Sequence, residues 1–320
     1  MAEFSIIEEF CQGIGPDHPE TSLSVGDDAA VIDVPNGTEL AISVDTMVAG
    51  VHFFADVEPA KLAHKILAVN LSDMAAMGAE PKWATLALTL SEVDNSWLSR
   101  FSNSLKDVSQ RYNVQIIGGD TTQGSLSLSL TIMGLLPKSR RLDRFGAKVE
   151  DDVYVSHCLG DAALALAVLQ GKAQLNDSHR SYLLAALETP EPRVELGRSL
   201  LPIANACLDI SDGLIGDLTH ICEKSGVSIK VDAEKIPLSD AFKSFMEQGG
   251  SLAYALNGGD DYELAFTASA ELRQQIARVS SELNLSLTRV GKVIPQESQA
   301  VIVTLNGVHF PSANGYQHFA

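Results

Sequence analysis

Cysteine is scarce in this 320-residue chain, and Cys11, Cys158, Cys207 and Cys222 lie far apart, with no C-x-x-C pair and no histidine at zinc spacing. That scatter excludes a disulfide framework and a Cys/His zinc finger, and it fits a reduced, cytoplasmic compartment. Long apolar runs are missing too: nothing approaches the roughly 20 residues that cross a bilayer. The opening Met1–Phe10 is acidic where a secretory signal needs a basic start, so a soluble cytoplasmic protein is expected. Basic residues are outnumbered, 23 Lys and Arg against 41 Asp and Glu, for a net charge of -18. Such a balance repels nucleic-acid phosphates and anionic lipid surfaces, which excludes a general polyanion binder.

Several nucleotide and metal signatures are also lacking. Gly171-Lys172 and Gly291-Lys292 are followed by Ala173 and Val293, so neither completes a Walker A loop. The chain holds no H-R-D or D-F-G triplet of the protein kinases, no H-E-x-x-H zinc pattern and no EF-hand loop. Phosphate chemistry here would need a different, carboxylate-rich cradle.

What is present points to a well-packed globular protein. Apolar residues make up 45% and charged residues 20%, and the length exceeds the usual single core, which argues for two domains. Strand-like runs at 29–34, 40–44, 83–90, 114–117, 126–136, 153–156, 227–231, 262–266 and 301–305 alternate with helical periodicity at 59–78, 94–112, 161–169 and 271–283, which predicts a mixed α/β (α+β) architecture. The segment Asn70-Leu71-Ser72-Asp73 is expected to interrupt the first helix, and Gly118-Gly119 to end a strand. Arg140, Arg141, Arg144 and Lys148 make residues 138–152 a basic connection between an N-terminal domain, 1–137, and a C-terminal one, 153–320.

The acidic residues recur in short motifs: Gly26-Asp27-Asp28, Ser43-Val44-Asp45, Ser72-Asp73, Gly118-Gly119-Asp120-Thr121, Asp209-Ile210-Ser211-Asp212-Gly213 and Gly258-Gly259-Asp260-Asp261-Tyr262-Glu263. Each alone reads equally well as a turn or a helix cap. Together they supply carboxylate and hydroxyl oxygens, the ligands Mg²⁺ accepts when it bridges one or two carboxylates to phosphates. The spacing from Ser-Asp to Gly-Gly-Asp nearly repeats in the two halves, as a duplication or as chance. The patch Arg140–Lys148 offers guanidinium groups for phosphate, or a solvated loop.

With these residues in place the sequence resembles the thiamine-monophosphate kinase family, within the superfamily of aminoimidazole-ribonucleotide synthetase. The resemblance lies in Val25–Ala29, Ser43–Phe53, Ala68–Ala79, Ile117–Thr122, Asp209–Leu214 and Asn314–Phe319. It implies a two-domain aminoimidazole-ribonucleotide-synthetase-like fold with mixed sheets flanked by helices, a homodimer, and transfer of the ATP γ-phosphate to thiamine phosphate with several Mg²⁺ ions. By the same resemblance Asp28, Ser43, Asp45, Asp73, Asp120, Asp209 and Asp212 hold metal; Gly119, Asp120, Arg144 and Ser211 contact ATP; Asp120, Arg144 and Asp212 carry the catalysis; and His52, Asp260 and Tyr316 touch the thiamine substrate. The family commonly has Glu where this chain has Asp260, one methylene shorter, so that contact is expected to run through water.

Other readings make distinct demands. Selenide chemistry needs a reactive cysteine in a Gly-rich N-terminal loop, a setting Cys11 lacks, and the hydrogenase-maturation relative uses a C-terminal cysteine, whereas none follows Cys222. A purely structural cation module would bind no nucleotide.

Overall fold

The computed structural model describes residues 6–311, without the side chains of Ile7 and Glu8. The chain divides into two units, one with the residues up to Met74 together with Ala79–Arg140, the other with Ala75–Gly78 and the residues from Arg141 onward.

The first unit is built on a four-stranded sheet in the order β3-β6-β4-β5, with β3 at Thr38–Val48, β4 at Glu80–Leu90, β5 at Gln115–Gln123 and β6 at Ser127–Pro137. β4 and β5 run parallel and the other pairs antiparallel. A small hairpin of β1 (Thr21–Leu23) and β2 (Val31–Ile32) precedes them. One sheet face is covered: Leu128, Leu130 and Ile132 are fully buried, with Leu62, Ile66 and Leu67 from α1 (Pro59–Met77) and Leu98, Phe101 and Leu105 from α2 (Asn95–Arg111) in the same unit's core. Period-two alternation in the strands and the Leu98, Phe101, Leu105, Val108 stripe in α2 make these the faces that leave water.

Helix starts and stops follow local chemistry. Pro59 needs no hydrogen bond from its nitrogen at a first turn, and the Lys61 N–H donates to the Glu58 carboxylate at 3.1 Å. Gly78, at φ +72°, takes the left-handed conformation that ends α1. Asp94 caps α2 by accepting from the Ser96 and Trp97 N–H groups.

Two local expectations fail, both through packing. α1 runs unbroken through Asn70–Asp73, because the Asn70 amide donates back to the Ile66 carbonyl at 2.8 Å and Asn70 and Ser72 are fully buried in the helix's packed side. β5 does not end at the double glycine but continues to Gln123 beside β4. Glycine is what permits this, since a Cβ on Gly119 would sit 1.9 Å from the Leu86 carbonyl oxygen.

The second unit carries a seven-stranded sheet in the order β13-β12-β9-β11-β7-β10-β8. Its strands are β7 (Asp152–Ser156), β8 (Ala206–Asp209), β9 (Val227–Asp232), β10 (Leu264–Ala268), β11 (Leu287–Pro295), β12 (Val301–Leu305) and β13 (Val308–His309). Around it stand α3 (Asp161–Leu169), α4 (Asp177–Glu188), α5 (Val194–Leu200), α6 (Leu214–Ser225), α7 (Asp240–Glu247), α8 (Ala253–Asn257) and α9 (Arg273–Glu282). Leu164, Leu208, Ile210, Leu218, Ile229, Phe242 and Val293 belong to its core. Within the basic stretch, Leu142 and Ala147 are buried. The Asp143 carbonyl accepts from Cys207 N–H, and the Gly146 and Ala147 N–H groups donate to the Ser225 hydroxyl. That segment is thereby fastened to β8 and to the end of α6 while Arg144 stays exposed.

Candidate active site

The first unit assembles two groups of the expected residues. On β3, alternate residues face the helices, so Ser43 and Asp45 share the inward side while Ile42, Val44 and Thr46 face out. The Ser43 hydroxyl donates to an Asp73 carboxylate oxygen of α1 at 2.5 Å. A strand residue and a helix residue thus present hard oxygens together. At the end of β3, the Val48 N–H donates to His52 Nδ1 at 3.0 Å, so in the neutral ring the proton of His52 sits on Nε2.

The second group surrounds a cavity of about 810 Å³. The loop Val25–Ala30 between β1 and β2 lies on one side and Gly118–Thr121 of β5 on another, which brings Asp27 and Asp28 to the same space as Gly119 and Asp120. Its walls include Leu86, Leu98, Phe101 and Ile117, so the space is apolar within and acidic at these two segments. A hydrogen-bonded chain fixes the hairpin that bears the loop: Gln115 Oε1 accepts from the Thr21 hydroxyl at 2.7 Å, and Thr21 Oγ1 accepts from the Trp83 indole N–H at 2.8 Å.

In the second unit, β8 delivers Asp209, only 5% exposed, at its end, and the turn Ile210–Gly213 leads into α6. One carboxylate oxygen of Asp217, in the first turn of α6 and 5% exposed, accepts from the Ser211, Asp212 and Gly213 N–H groups, each at 3.1 Å. Burial pushes the Asp217 carboxyl up to about 7, the nearby Asp212 charge adds to that, and the three N–H bonds pull the other way. The loop Gly258–Glu263 is laced to this turn: Asp260 N–H donates to the Ser211 carbonyl at 2.9 Å, Tyr262 N–H to the Ile210 carbonyl at 2.8 Å, and Ile210 N–H to the Glu263 carbonyl at 2.8 Å.

The four residues Asp260 to Glu263 of that loop make separate contacts. Asp260 and Tyr262 both adopt positive φ, +69° and +50°, and the Tyr262 hydroxyl donates to an Asp260 carboxylate oxygen at 2.9 Å. Asp261 accepts from the Gly160 N–H at the start of α3, and burial drives its carboxyl well above the ordinary range. Glu263 is buried, with Arg193 donating Nε–H to it at 2.8 Å and the Ser156 hydroxyl also donating to it.

The structure therefore gathers Ser43, Asp45 and Asp73; then Asp28, Gly119 and Asp120; and then Asp209, Ser211, Asp212 and Asp260. Tyr316 lies outside the described residues. Ser43, Asp45, Asp73 and Asp120 stand inside a strand or a helix, not where an apolar segment stops. Among the described residues no three His, Cys, Asp or Glu side chains form a ready-made cation cage. Mg²⁺ does not require one, because it commonly takes one or two protein carboxylates and completes its shell with phosphate and water. The Ser43 and Asp73 oxygen pair fits that mode. Tyr262 enters the sequence reading without a role of its own, as part of the Gly258–Glu263 motif, and Asp217 not at all, although an acid four residues past a glycine that opens a helix is a recognisable capping signal.

Comparison with known proteins gives a consistent result. Residues 26–136 match the family described as AIR synthase related protein, N-terminal domain, and residues 148–304 its C-terminal domain. A thiamine-monophosphate kinase of Salmonella typhimurium is 44% identical over 326 residues, covering 99% of this chain and 98% of the relative. One from Escherichia coli K12 is 42% identical over 319 residues, with the same coverage. Among solved structures, the thiamine-monophosphate kinase of Stenotrophomonas maltophilia K279a superposes with a TM-score of 0.84 at 39% identity, covering 91% of this chain and 93% of that one. AaThiL complexed with AMPPCP and TMP gives 0.79 at 31% identity, covering 90% and 89%.

Proposed function

The chain belongs to the thiamine-monophosphate kinase family, and from that premise we propose that it moves the γ-phosphoryl group of ATP directly onto thiamine phosphate, giving thiamine diphosphate, with several Mg²⁺ ions. Its two-domain fold and its kinase class agree with the resemblance read from the sequence. A relative at 31% identity is complexed with the ATP analogue AMPPCP and with TMP, which supports the same pair of substrates here.

The observation that carries the proposal is the interlocked pair of loops in the second unit. Asp209, Ser211 and Asp212, on the metal and nucleotide side of the expectation, share a backbone hydrogen-bond frame with Asp260, on the substrate side. Phosphoryl transfer asks chiefly for alignment and for neutralisation of charge on the equatorial oxygens. That neutralisation is the chemistry that Mg²⁺ held by these carboxylates would supply. The chain's own part is to hold Asp28, Ser43, Asp45, Asp73, Asp120, Asp209 and Asp212 as oxygen donors and to direct the exposed Arg144 at phosphate. Gly119 and Ser211 complete the nucleotide contacts, and the apolar cavity beside Asp120 has walls suited to a base. Because the acceptor is already a phosphate oxyanion, no residue needs to act as a general base. His52 donates from Nε2, and Asp260, oriented by Tyr262, accepts on the thiamine side.

The assay is incubation of the protein with ATP, Mg²⁺ and thiamine phosphate, followed by chromatography. Thiamine diphosphate is expected, and its absence with folded protein would refute the proposal. In the same reading the active species is a cytoplasmic homodimer. Among the described residues no helix is long and apolar enough to cross a membrane.

A further inference from the structure

Three successive backbone N–H groups that converge on one point form a nest, a concavity that ordinarily takes an anion. At Ser211, Asp212 and Gly213 the nest is filled from within by a single oxygen of the buried Asp217. With its amides turned inward, the turn offers its ligand-side face through side chains and carbonyls. The carbonyls of Ile210 and Ser211 are in turn the acceptors that hold Tyr262 and Asp260 by their N–H groups. Those two residues adopt left-handed backbone that side chains other than glycine rarely take. Space is equally constrained at Gly213, φ +113°, where a Cβ would lie 2.6 Å from the Asn257 carbonyl carbon.

We propose that Asp217 is a positioning residue that holds both loops of the site at once: its carboxylate fixes the turn bearing Ser211 and Asp212, and through the Ile210 and Ser211 carbonyls that turn fixes Asp260. The role assigned is that of a shaped acceptor: the three bonds it receives come from backbone N–H groups, which a neutral amide oxygen can also accept. The inference rests on the reading of Ser211, Asp212 and Asp260 as ligand-contacting residues. It also implies that phosphate is not cradled by the 211–213 amides, unlike in a P-loop.

Three variants of the full chain separate these ideas. Asp217→Asn keeps an acceptor oxygen in place, Asp217→Glu keeps the charge on a longer arm, and Asp217→Ala removes both. Mn²⁺ binding by electron paramagnetic resonance, without turnover, gives the metal half-saturation, and steady-state kinetics give kcat and the KM for thiamine phosphate. Near-ultraviolet circular dichroism checks the fold. Asp217→Ala and Asp217→Glu should each raise the Mn²⁺ half-saturation and the thiamine-phosphate KM about tenfold, while Asp217→Asn stays within about threefold of the parent. Hydrogen exchange should quicken at 211–213 and also at 260 and 262 in the alanine variant. A folded alanine variant with both constants unchanged, or retention by glutamate but not by asparagine, would overturn the proposal. Should the alanine variant not fold, the asparagine and glutamate pair decides alone. If the parent makes no thiamine diphosphate, the functional reading fails, yet the Mn²⁺ and exchange measurements still judge the positioning role.

Discussion

Gly119 and Asp120 are neighbours with opposite reasons for being what they are. Gly119 is dictated by the backbone of β4: a Cβ there would overlap the Leu86 carbonyl, whereas one on Gly118 would meet only the Thr85 methyl at 3.8 Å, an ordinary contact. Gly119→Ala is expected to cost about 1–3 kcal/mol of stability, the usual penalty of overpacking. Gly118→Ala should cost less, and parallel urea unfolding of the two proteins checks the order. Asp120, by contrast, is exposed at the rim of the apolar cavity. Losing one exposed charge seldom shifts stability by more than about 0.5 kcal/mol. Asp120→Asn should therefore leave the melting temperature close to the parent while turnover falls by about a hundredfold or more, the scale of a lost electrostatic contact to the transferring group. Equal losses of both would count against a catalytic Asp120.

At the scale of elements, a buried carboxylate ties β7 to α9. Asp152 opens β7, and the Arg273 guanidinium grips it with Nε at 2.6 Å and Nη2 at 2.9 Å. Burial by itself would raise the Asp152 carboxyl, but the Arg273 hydrogen bond and charge, with Arg289 and Lys292 behind them, hold it below its ordinary value. A carboxylate lowered in the fold contributes stability that is whole above the unfolded value of about 3.9 and is lost as pH falls through the lower folded value. Thermal melts of the parent and of Asp152→Asn should differ at neutral pH and converge in the acid range below about pH 4. A gap that stays constant across that range would show that Asp152 acts by packing alone. Elements like these also mark how far the sequence could be read. Strands β4, β6 and β7 and helices α2 and α3 were legible, since a local period or, in β7, a short buried apolar run lies within a single segment. β8 and β11, and the short helices α7 and α8, were missed, because their burial comes from neighbours in the second unit and not from a local period. The acidic motifs were legible as a set, yet their grouping was not: only the fold shows Ser43 reaching Asp73 across thirty positions of chain, or Asp260 laced to Ser211.

For the whole molecule the open question is what meets the outer face of the four-stranded sheet. Ile42 and Val44 on β3 are 62% and 59% exposed, and β3 is an edge strand eleven residues long. Such a strand is an aggregation hazard in a lone molecule unless something covers it. A second copy is the simplest cover, because the same face on two chains is self-complementary about a two-fold axis. The strong negative charge does not forbid this: the outward positions beside Ile42 and Val44 include Thr46, Ser129 and Thr131, none of them ionised, which keeps charge away from the apolar patch itself. Sedimentation at micromolar concentration should therefore find a dimer. Replacing Ile42 and Val44 together by lysine should shift it to monomer while leaving the inward Ser43 and Asp45 in place. If the parent sediments as a monomer, or the double variant remains a dimer, the partner face must be sought elsewhere on the chain.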